Sequence, residues 1–219
     1  SLLTLKQAIA GIDELEFYDP INLATSTGWP LNTGSDKVKS EYITILRDKH
    51  SIVTEVDIAD EVLEVINMKQ ESRQRGIRPF TVFQDTLKDE RRSQRKLDKP
   101  DGTRVFSQCP LDYLITFRQY FLDFMAAYMK HRHLLSHAIG ITTNGPEWAL
   151  LVERLHRVGS NIFSGDFTDY GPRIWPELVS YCGIVINAWY ARYSKDLNEN
   201  EHAKIRTMLI EEITNTYHI

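Results

Sequence analysis

An apolar stripe between Leu111 and His131 determines much of the architecture of this chain. Its apolar residues recur at the three- and four-residue spacing of one helix face: Leu111, Leu114, Ile115, Tyr120, Phe121, Phe124, Met125, Tyr128 and Met129. A helix with so broad an apolar face is stable only when it is buried, and 219 residues are enough to form a core around it. The 42% hydrophobic and 26% charged residues exclude a disordered or fibrous chain. No apolar run reaches the roughly 18–20 residues of a membrane span.

Shorter patterns predict the other helices and strands. Helices are predicted at 3–10, 57–75 with Asp57 as the N-cap, 111–131, 146–158, 174–193 and 199–214. Strands are predicted at 80–87, 103–107 and 161–167, a further strand begins at 217, and residues 12–36 are predicted to form a loop. The predicted fold class is α+β and mostly helical. Because the chain ends where a strand begins, we expect a longer sheet that has been cut.

The charge of the chain is unevenly distributed. Residues 69–104 hold 11 of the 26 Lys and Arg but 6 of the 30 Asp and Glu, so this segment carries +5 and the rest carries −9. Such a concentration favours a local site for polyanions, although a solvated helix face is the alternative. The Pro100-Asp101-Gly102 interruption argues against a simple helix face.

The flanking β-forming residues predict that this basic segment is a hairpin with a long charged tip. In an extended strand alternate side chains share a face, so four cations are expected to converge: Lys88, Arg92, Lys96 and Arg104. Opposed cations repel by about 0.2–1 kcal/mol per pair, whereas charge-assisted hydrogen bonds to phosphate are worth roughly 1.5–3 kcal/mol each. Asp89 and Glu90 can hold individual arginines in place. Phosphate binding and a merely solvated tip both remain open at this point.

Two further segments contain candidate site residues. Asp166 lies at the C-terminal end of a predicted strand, before a Gly-Pro turn, a common position for a carboxylate that binds Mg²⁺, although a turn residue is an equal alternative. Asp169 is interpreted as a turn residue or helix N-cap and not as a metal ligand. The Thr25–Pro30 loop combines three hydroxyls, a glycine and an aromatic ring, which suit contact with a nucleic-acid backbone but are also ordinary turn residues.

The sequence contains no residue spacing typical of a zinc site, a cysteine motif or a glycine-rich phosphate loop. Only His133 and His137 would share a helix face in the histidine-rich segment, and a third zinc ligand is missing. Cys109 and Cys182 lie in no motif and indicate a reducing compartment. There is no glycine-rich phosphate loop ending in Gly-Lys.

Three of these segments, taken in order, resemble the picornavirus-like RNA-dependent RNA polymerases. Thr25–Pro30 resembles motif G of that family, Lys88–Arg104 resembles motif F, and Asp166–Tyr170 resembles motif A. The resemblance spans nearly the whole chain. The Gly-Asp-Phe-x-x-Tyr-Gly-Pro form of motif A is most similar to the insect-infecting iflavirus branch.

The resemblance implies a right-hand polymerase of which this chain is one part. Residues 1–158 would be fingers, with a template-contact loop at 22–34 and the basic hairpin at 80–107, and residues 159–219 would be a partial palm that begins with motif A. Asp166 would be a catalytic aspartate that binds Mg²⁺ or Mn²⁺ in a two-metal nucleotidyl transfer. Incoming nucleoside triphosphate would be bound by Lys88, Arg92, Lys96 and Arg104. Template RNA would be contacted by Thr25, Ser26 and Gly28.

The sequence also departs from the family pattern. A second aspartate normally follows the metal-binding one by five residues and helps to select ribose, but here that position is Gly171, so either this branch handles the 2′ hydroxyl differently or Asp169 substitutes. Motifs B and C are absent from the 219 residues, which predicts that the isolated chain does not polymerise RNA. The expected partners are RNA template and primer, nucleoside triphosphates and the rest of the polymerase, in replication complexes of the host cytoplasm.

An alternative function is a non-catalytic RNA-binding or scaffolding module. The two functions differ in the expected position of Asp166, which a polymerase would place across a groove from the basic hairpin. A cut palm would also leave an unpaired strand edge near Ile162–Phe167, and we expect such an edge to cause self-association.

Overall fold

The computed structural model describes residues 2–98, 102–167 and 170–219, without the side chain of Pro172. The helices are α1 Leu5–Ala10, α2 Asp60–Gln74, α3 Gln94–Leu97, α4 Leu111–Lys130, α5 Pro146–His156, α6 Tyr170–Arg173, α7 Pro176–Tyr193 and α8 Glu199–Thr214, with a 3₁₀ turn at Lys39–Glu41. The strands are β1 Ile43–Arg47, β2 Val53–Ile58, β3 Val82–Leu87, β4 Val105–Gln108 and β5 Tyr217–His218. The predicted α+β class is confirmed. No helix in these ranges is long and apolar enough to cross a membrane.

Two small sheets position the charged segments. Strands β1 and β2 form an antiparallel hairpin in which Ile43 pairs with Ile58. Strand β3 is the centre of a second sheet, antiparallel to β4 on one side and parallel to β5 on the other. The predicted basic hairpin is therefore present, and its first strand also pairs with the last residues of the chain.

The core consists of two clusters that share helix α4. The first packs α4 against α1, α2 and the β1–β2 hairpin, and its buried residues are Ile9, Ile21, Tyr42, Ile43, Ile58, Val62, Ile66, Leu111 and Ile115. The second packs α4 against β3 and α8, and its buried residues are Phe83, Tyr113, Tyr120, Phe121, Ile205, Leu209 and Ile210. Leu111, Ile115, Tyr120 and Phe121 of the apolar stripe thus form part of the predicted core, whereas Met125 and Tyr128 are exposed. The second cluster joins residues from both sides of position 159.

A buried ion pair fastens helix α8 to helix α2. Arg73 donates from Nε to Glu212 Oε1 at 2.6 Å and from Nη2 to Oε2 at 3.0 Å, and both side chains are 0% exposed. Thr81, which directly precedes β3, donates its hydroxyl to Glu212 Oε2 at 2.6 Å. The foot of the basic hairpin is therefore hydrogen-bonded to the same carboxylate.

The strand predicted at 161–167 is not formed. These residues are exposed, lack regular structure and make no backbone hydrogen bond to another described residue. A strand requires a partner for its backbone N–H and C=O groups, and nothing in the described residues supplies one. Self-association through this segment stays a prediction.

The N-terminal boundary of α2 also differs from the prediction. Asp57 lies in β2, where it pairs with Thr44, and the N-cap of α2 is Ala59. The β1–β2 hairpin ends only two residues before the helix begins, so Asp57 belongs to the sheet. This hairpin was not predicted from the sequence.

Candidate functional site

A buried lysine holds the Thr25–Pro30 loop against the segment that follows it. Lys39 is 7% exposed, and its ammonium group donates to the hydroxyl of Thr25 at 2.6 Å and to the carbonyl of Ser26. Burial lowers the pKa of Lys39, and the proximity of Cys109 partly opposes that shift. The loop is therefore fixed by an internal cation that sequence reasoning missed, because nothing in the local pattern distinguishes Lys39 from an exposed lysine.

The hydroxyls of this loop differ in what they can offer a phosphate. The Thr25 hydroxyl accepts from Lys39 and donates to the carbonyl of Asn22 at 2.9 Å, so its proton is already used. The Ser26 Oγ accepts from the Gly28 N–H and from Asn32 Nδ2, both at 3.2 Å. Its own proton has no acceptor among the described residues. Of the two hydroxyls among the predicted RNA-contact residues, the hydroxyl of Ser26 is the one whose proton has no acceptor in the described part of the chain.

Gly28 is required by a close approach of two backbone segments. Its φ is +73°, and a Cβ at this position would lie 2.6 Å from the carbonyl oxygen of Cys109. An L side chain is disfavoured by that φ, and here it would also displace backbone at the start of α4. The role of Gly28 in this structure is to seat the loop.

Substitution of Gly28 by alanine is expected to destabilise the chain more than the same substitution at Gly34. Both glycines have positive φ, which costs an L residue about 1–2 kcal/mol, but a Cβ at Gly34 would meet nothing within 4 Å. Urea unfolding of the two variants separates backbone strain from the clash with Cys109. Equal losses in the free energy of unfolding would show that the loop does not depend on this approach.

The basic hairpin is confirmed, but its tip is not extended. The paired strands end at Leu87 and Val105, one further backbone hydrogen bond joins Lys88 to Arg104, and the tip contains the short helix α3. Lys96 lies exposed on α3, so it does not share a strand face with Lys88 as the alternation predicts. Two N–H groups donate to the Ser93 carbonyl and turn the chain into this helix. Residues 99–101 lie outside the described ranges.

Glu90 gathers three of the four predicted nucleotide-binding cations. Arg104 donates to it from both Nε, at 2.6 Å, and Nη2, while Lys88 Nζ and Arg92 Nε each lie 3.8 Å from a carboxylate oxygen. The hydrogen bond from Arg104 lowers the pKa of Glu90 to about 2, with the nearby charges adding to the shift. Glu90 therefore stays ionised at neutral pH. Because this one carboxylate lies among three cations, the four side chains together keep a net positive charge. Arg92 is further held by the carbonyl of Gly102.

Asp166 is exposed and makes no hydrogen bond or ion pair with another described residue. It lies in the unstructured segment 161–167, not at the end of a strand, so the predicted strand-end position is wrong. No group of three His, Cys, Asp or Glu in the described part of the chain could hold a metal ion. Among the described residues Asp166 would therefore have to bind a metal ion without two further His, Cys, Asp or Glu ligands beside it. That suits a Mg²⁺ ion bound by one or two carboxylates and by substrate phosphates, and a second carboxylate would have to come from elsewhere. Asp169 lies outside the described residues.

Comparison with known proteins assigns the family. A sequence model of the viral RNA-dependent RNA polymerases matches residues 2–214. The chain belongs to the viral RNA-dependent RNA polymerase family. The resemblance drawn from the three motifs is thereby confirmed.

Individual viral polyproteins are similar to nearly the whole chain. It is 31% identical over 220 residues to the genome polyprotein of Deformed wing virus, covering 99% of this chain and 8% of that polyprotein. It is 30% identical over 218 residues to the replicase polyprotein of Acute bee paralysis virus (strain Rothamsted), covering 100% of this chain and 11% of that one. The chain thus spans about a tenth of each of these two polyproteins.

A solved polymerase structure shares the fold of this family member. The Sicinivirus 3Dpol RNA-dependent RNA polymerase superposes with a TM-score of 0.71 at 16% sequence identity, over 100% of this chain and 41% of that one. Less than half of that chain is therefore represented by these 219 residues.

Proposed function

We propose that this chain forms the fingers and the first part of the palm of an RNA-directed RNA polymerase that replicates a picornavirus-like genome. The observation that carries the proposal is the cluster of Lys88, Arg92 and Arg104 around Glu90 on a hairpin. A single carboxylate leaves this cluster with excess positive charge, which suits a triphosphate. The fingers and palm would divide near residue 159, as the motif order indicates.

The reaction proposed is template-dependent nucleotidyl transfer. The primer 3′ oxygen attacks the α-phosphorus, a new P–O bond forms, and the bond to the β-phosphate oxygen breaks to release pyrophosphate. Lys88, Arg92 and Arg104 would bind the triphosphate and stabilise negative charge that shifts to the leaving group. Lys96, exposed at the hairpin tip, would add a more distant cation.

This chain would supply one ligand, Asp166, to a divalent metal ion in the same reaction. Asp166 would hold Mg²⁺ or Mn²⁺ together with substrate phosphates and a carboxylate from outside the 219 residues. A divalent metal, when bound, supplies positive charge at the α-phosphate and favours deprotonation of the primer hydroxyl. Because the chain contains one of the two expected aspartates, we propose that it incorporates no nucleotide alone.

RNA and the remaining polymerase complete the proposed assembly. Ser26 would donate to a template phosphate, while Thr25 and Gly28 would shape the loop that presents it. The rest of the palm and the thumb would contact residues 159–219. The same proposal includes the host cytoplasm as the place of replication.

Arg104→Ala in the complete polymerase tests this function. We expect the KM for nucleoside triphosphate to rise about 10- to 100-fold, because charge-assisted hydrogen bonds to phosphate worth roughly 1.5–3 kcal/mol are lost. Arg91→Ala is the matched control, since Arg91 is an exposed arginine of the same basic run and makes no hydrogen bond or ion pair with another described residue. Primer extension at varied nucleotide concentration measures both. An unchanged KM for Arg104→Ala would remove the basis of the proposal.

A further inference from the structure

One asparagine side chain links the Thr25–Pro30 loop to the basic hairpin. Asn32 Nδ2 donates to Ser26 Oγ at 3.2 Å and to Gln84 Oε1 at 2.5 Å. Gln84 belongs to β3 and lies 52 positions from Asn32 in the sequence. The two amide protons of Asn32 thus bridge the two segments that carry the predicted RNA and nucleotide contacts.

The loop end of this bridge is held firmly. The N–H of Asn32 donates to the carbonyl of Gly28 at 3.2 Å, which closes a turn beneath the side chain. Lys39 binds the carbonyl of Ser26 from the interior. Ser26 is therefore constrained on its backbone side by Lys39 and on its hydroxyl by Asn32, so its position depends on both.

The hairpin end of the bridge lies on the strand face that leads to the cation cluster. Alternate residues of a strand share a face, so Gln84 and Thr86 lie on the same side of β3. Lys88 directly follows the strand, and its N–H donates to the carbonyl of Arg104 at 2.8 Å. Thr86, which lies between Gln84 and Lys88, is also held in place, because its Oγ1 accepts a hydrogen bond from Gln108 Nε2 on β4 at 2.9 Å. A contact at Gln84 therefore connects the loop to the strand that leads to Lys88.

We propose that Asn32 is a positioning residue that couples template binding to nucleotide binding. This inference rests on the proposed function. Asn32 contacts neither ligand. It fixes the distance between Ser26, which offers a proton to template phosphate, and β3, which presents Lys88 to the triphosphate. RNA bound at the loop and nucleotide bound at the hairpin then stabilise one arrangement, so each raises the affinity for the other by the same factor.

The coupling is measured in the complete polymerase. The Kd for template–primer RNA is determined with and without a non-hydrolysable nucleoside triphosphate, and the ratio gives the coupling factor. We expect Asn32→Ala and Gln84→Ala each to reduce this ratio about 3- to 10-fold, which corresponds to hydrogen bonds of about 0.5–1.5 kcal/mol. The double variant is expected to lose no more than either single one, because both remove the same bridge.

If the Asn32 bridge had only a structural role, its loss would lower stability without changing the coupling factor. Gln119→Ala removes another amide hydrogen bond that spans the fold, to the carbonyl of Leu3 at 3.1 Å, and is expected to lower stability without changing the coupling factor. An unchanged factor in Gln84→Ala, or additive losses in the double variant, would overturn the inference. If Asn32→Ala does not fold, Gln84→Ala is decisive by itself.

Two measurements distinguish a failure of the coupling role of Asn32 from a failure of the proposed function. An elevated KM in Arg104→Ala with an intact coupling factor in Gln84→Ala rejects only the role of Asn32. A normal KM in Arg104→Ala rejects nucleotide binding at the hairpin and the coupling with it.

Discussion

Replacing Glu212 by alanine is expected to lower the free energy of unfolding of this chain by about 3–5 kcal/mol. The substitution leaves the guanidinium of Arg73 buried and without its carboxylate, and Arg73 Nη1 already lacks a partner in the described residues. The hydroxyl of Thr81 loses its acceptor at the same time. Because a domain of this kind is stable by about 5–15 kcal/mol, this loss is a large share of its total stability. Urea unfolding at pH 7 measures the change.

The matched control replaces all three side chains of the buried polar network, whereas Glu212→Ala removes only one of them. Arg73→Met, Thr81→Val and Glu212→Leu together replace the buried network by apolar side chains, an exchange that is often neutral or stabilising. We expect the triple variant to be at least 2 kcal/mol more stable than Glu212→Ala, on the order of the gap between breaking and replacing a buried pair. A Glu212→Ala loss below about 1 kcal/mol, the range of exposed pairs, would mean that this pair is accessible to water.

Changing Asp166 to asparagine in the complete polymerase is expected to reduce kcat for nucleotide incorporation by about 10³-fold or more. The amide has the same shape as the carboxylate but no charge, and Mg²⁺ prefers carboxylate oxygens. Transition-state stabilisation by a catalytic metal is worth several kcal/mol, and about 4 kcal/mol corresponds to that factor. KM should change little, because the proposed triphosphate contacts of Lys88 and Arg104 would remain. Rapid-quench primer extension separates the two constants.

Stability and charge controls accompany the Asp166 experiment. Asp166 is exposed and has no partner in the described residues, so its substitution should alter stability by no more than about 0.5 kcal/mol. Asp57→Asn neutralises another exposed aspartate, on β2, and is expected to retain full incorporation. A kcat for Asp166→Asn within threefold of the parent enzyme would exclude Asp166 as the metal ligand.

Elements defined by local periodicity could be predicted from the sequence. The α4 stripe repeats over 20 residues, and the hairpin has β-forming residues on both sides of its charged tip, so both appear where expected. The β1–β2 hairpin carries a comparable signal, since Ile43–Arg47 and Val53–Ile58 are rich in β-branched residues around a polar turn. It could have been found by the same rule.

Elements that depend on distant partners could not be predicted in this way. The 161–167 segment has strand-forming residues, but the described chain provides no neighbour to complete its hydrogen bonds. The prediction that Glu90 holds an arginine is confirmed, but its hydrogen-bonded partner is Arg104, 14 positions away across the hairpin. The roles of Lys39 and Asn32 arise from side-chain hydrogen bonds across 14 and 52 positions, for which a single sequence contains no spacing rule.

The parallel pairing of β5 with β3 has a consequence for the order of events on the ribosome. Val82 and Phe83 pair with Tyr217 and His218, and Asp85 donates its N–H to the carbonyl of Ile219. At roughly 5–20 residues per second, the ribosome needs on the order of 10 s to translate from the end of β3 to these residues. Throughout that interval one side of β3 is an open edge in the nascent polypeptide, a site at which chaperones or neighbouring chains can bind before folding is complete.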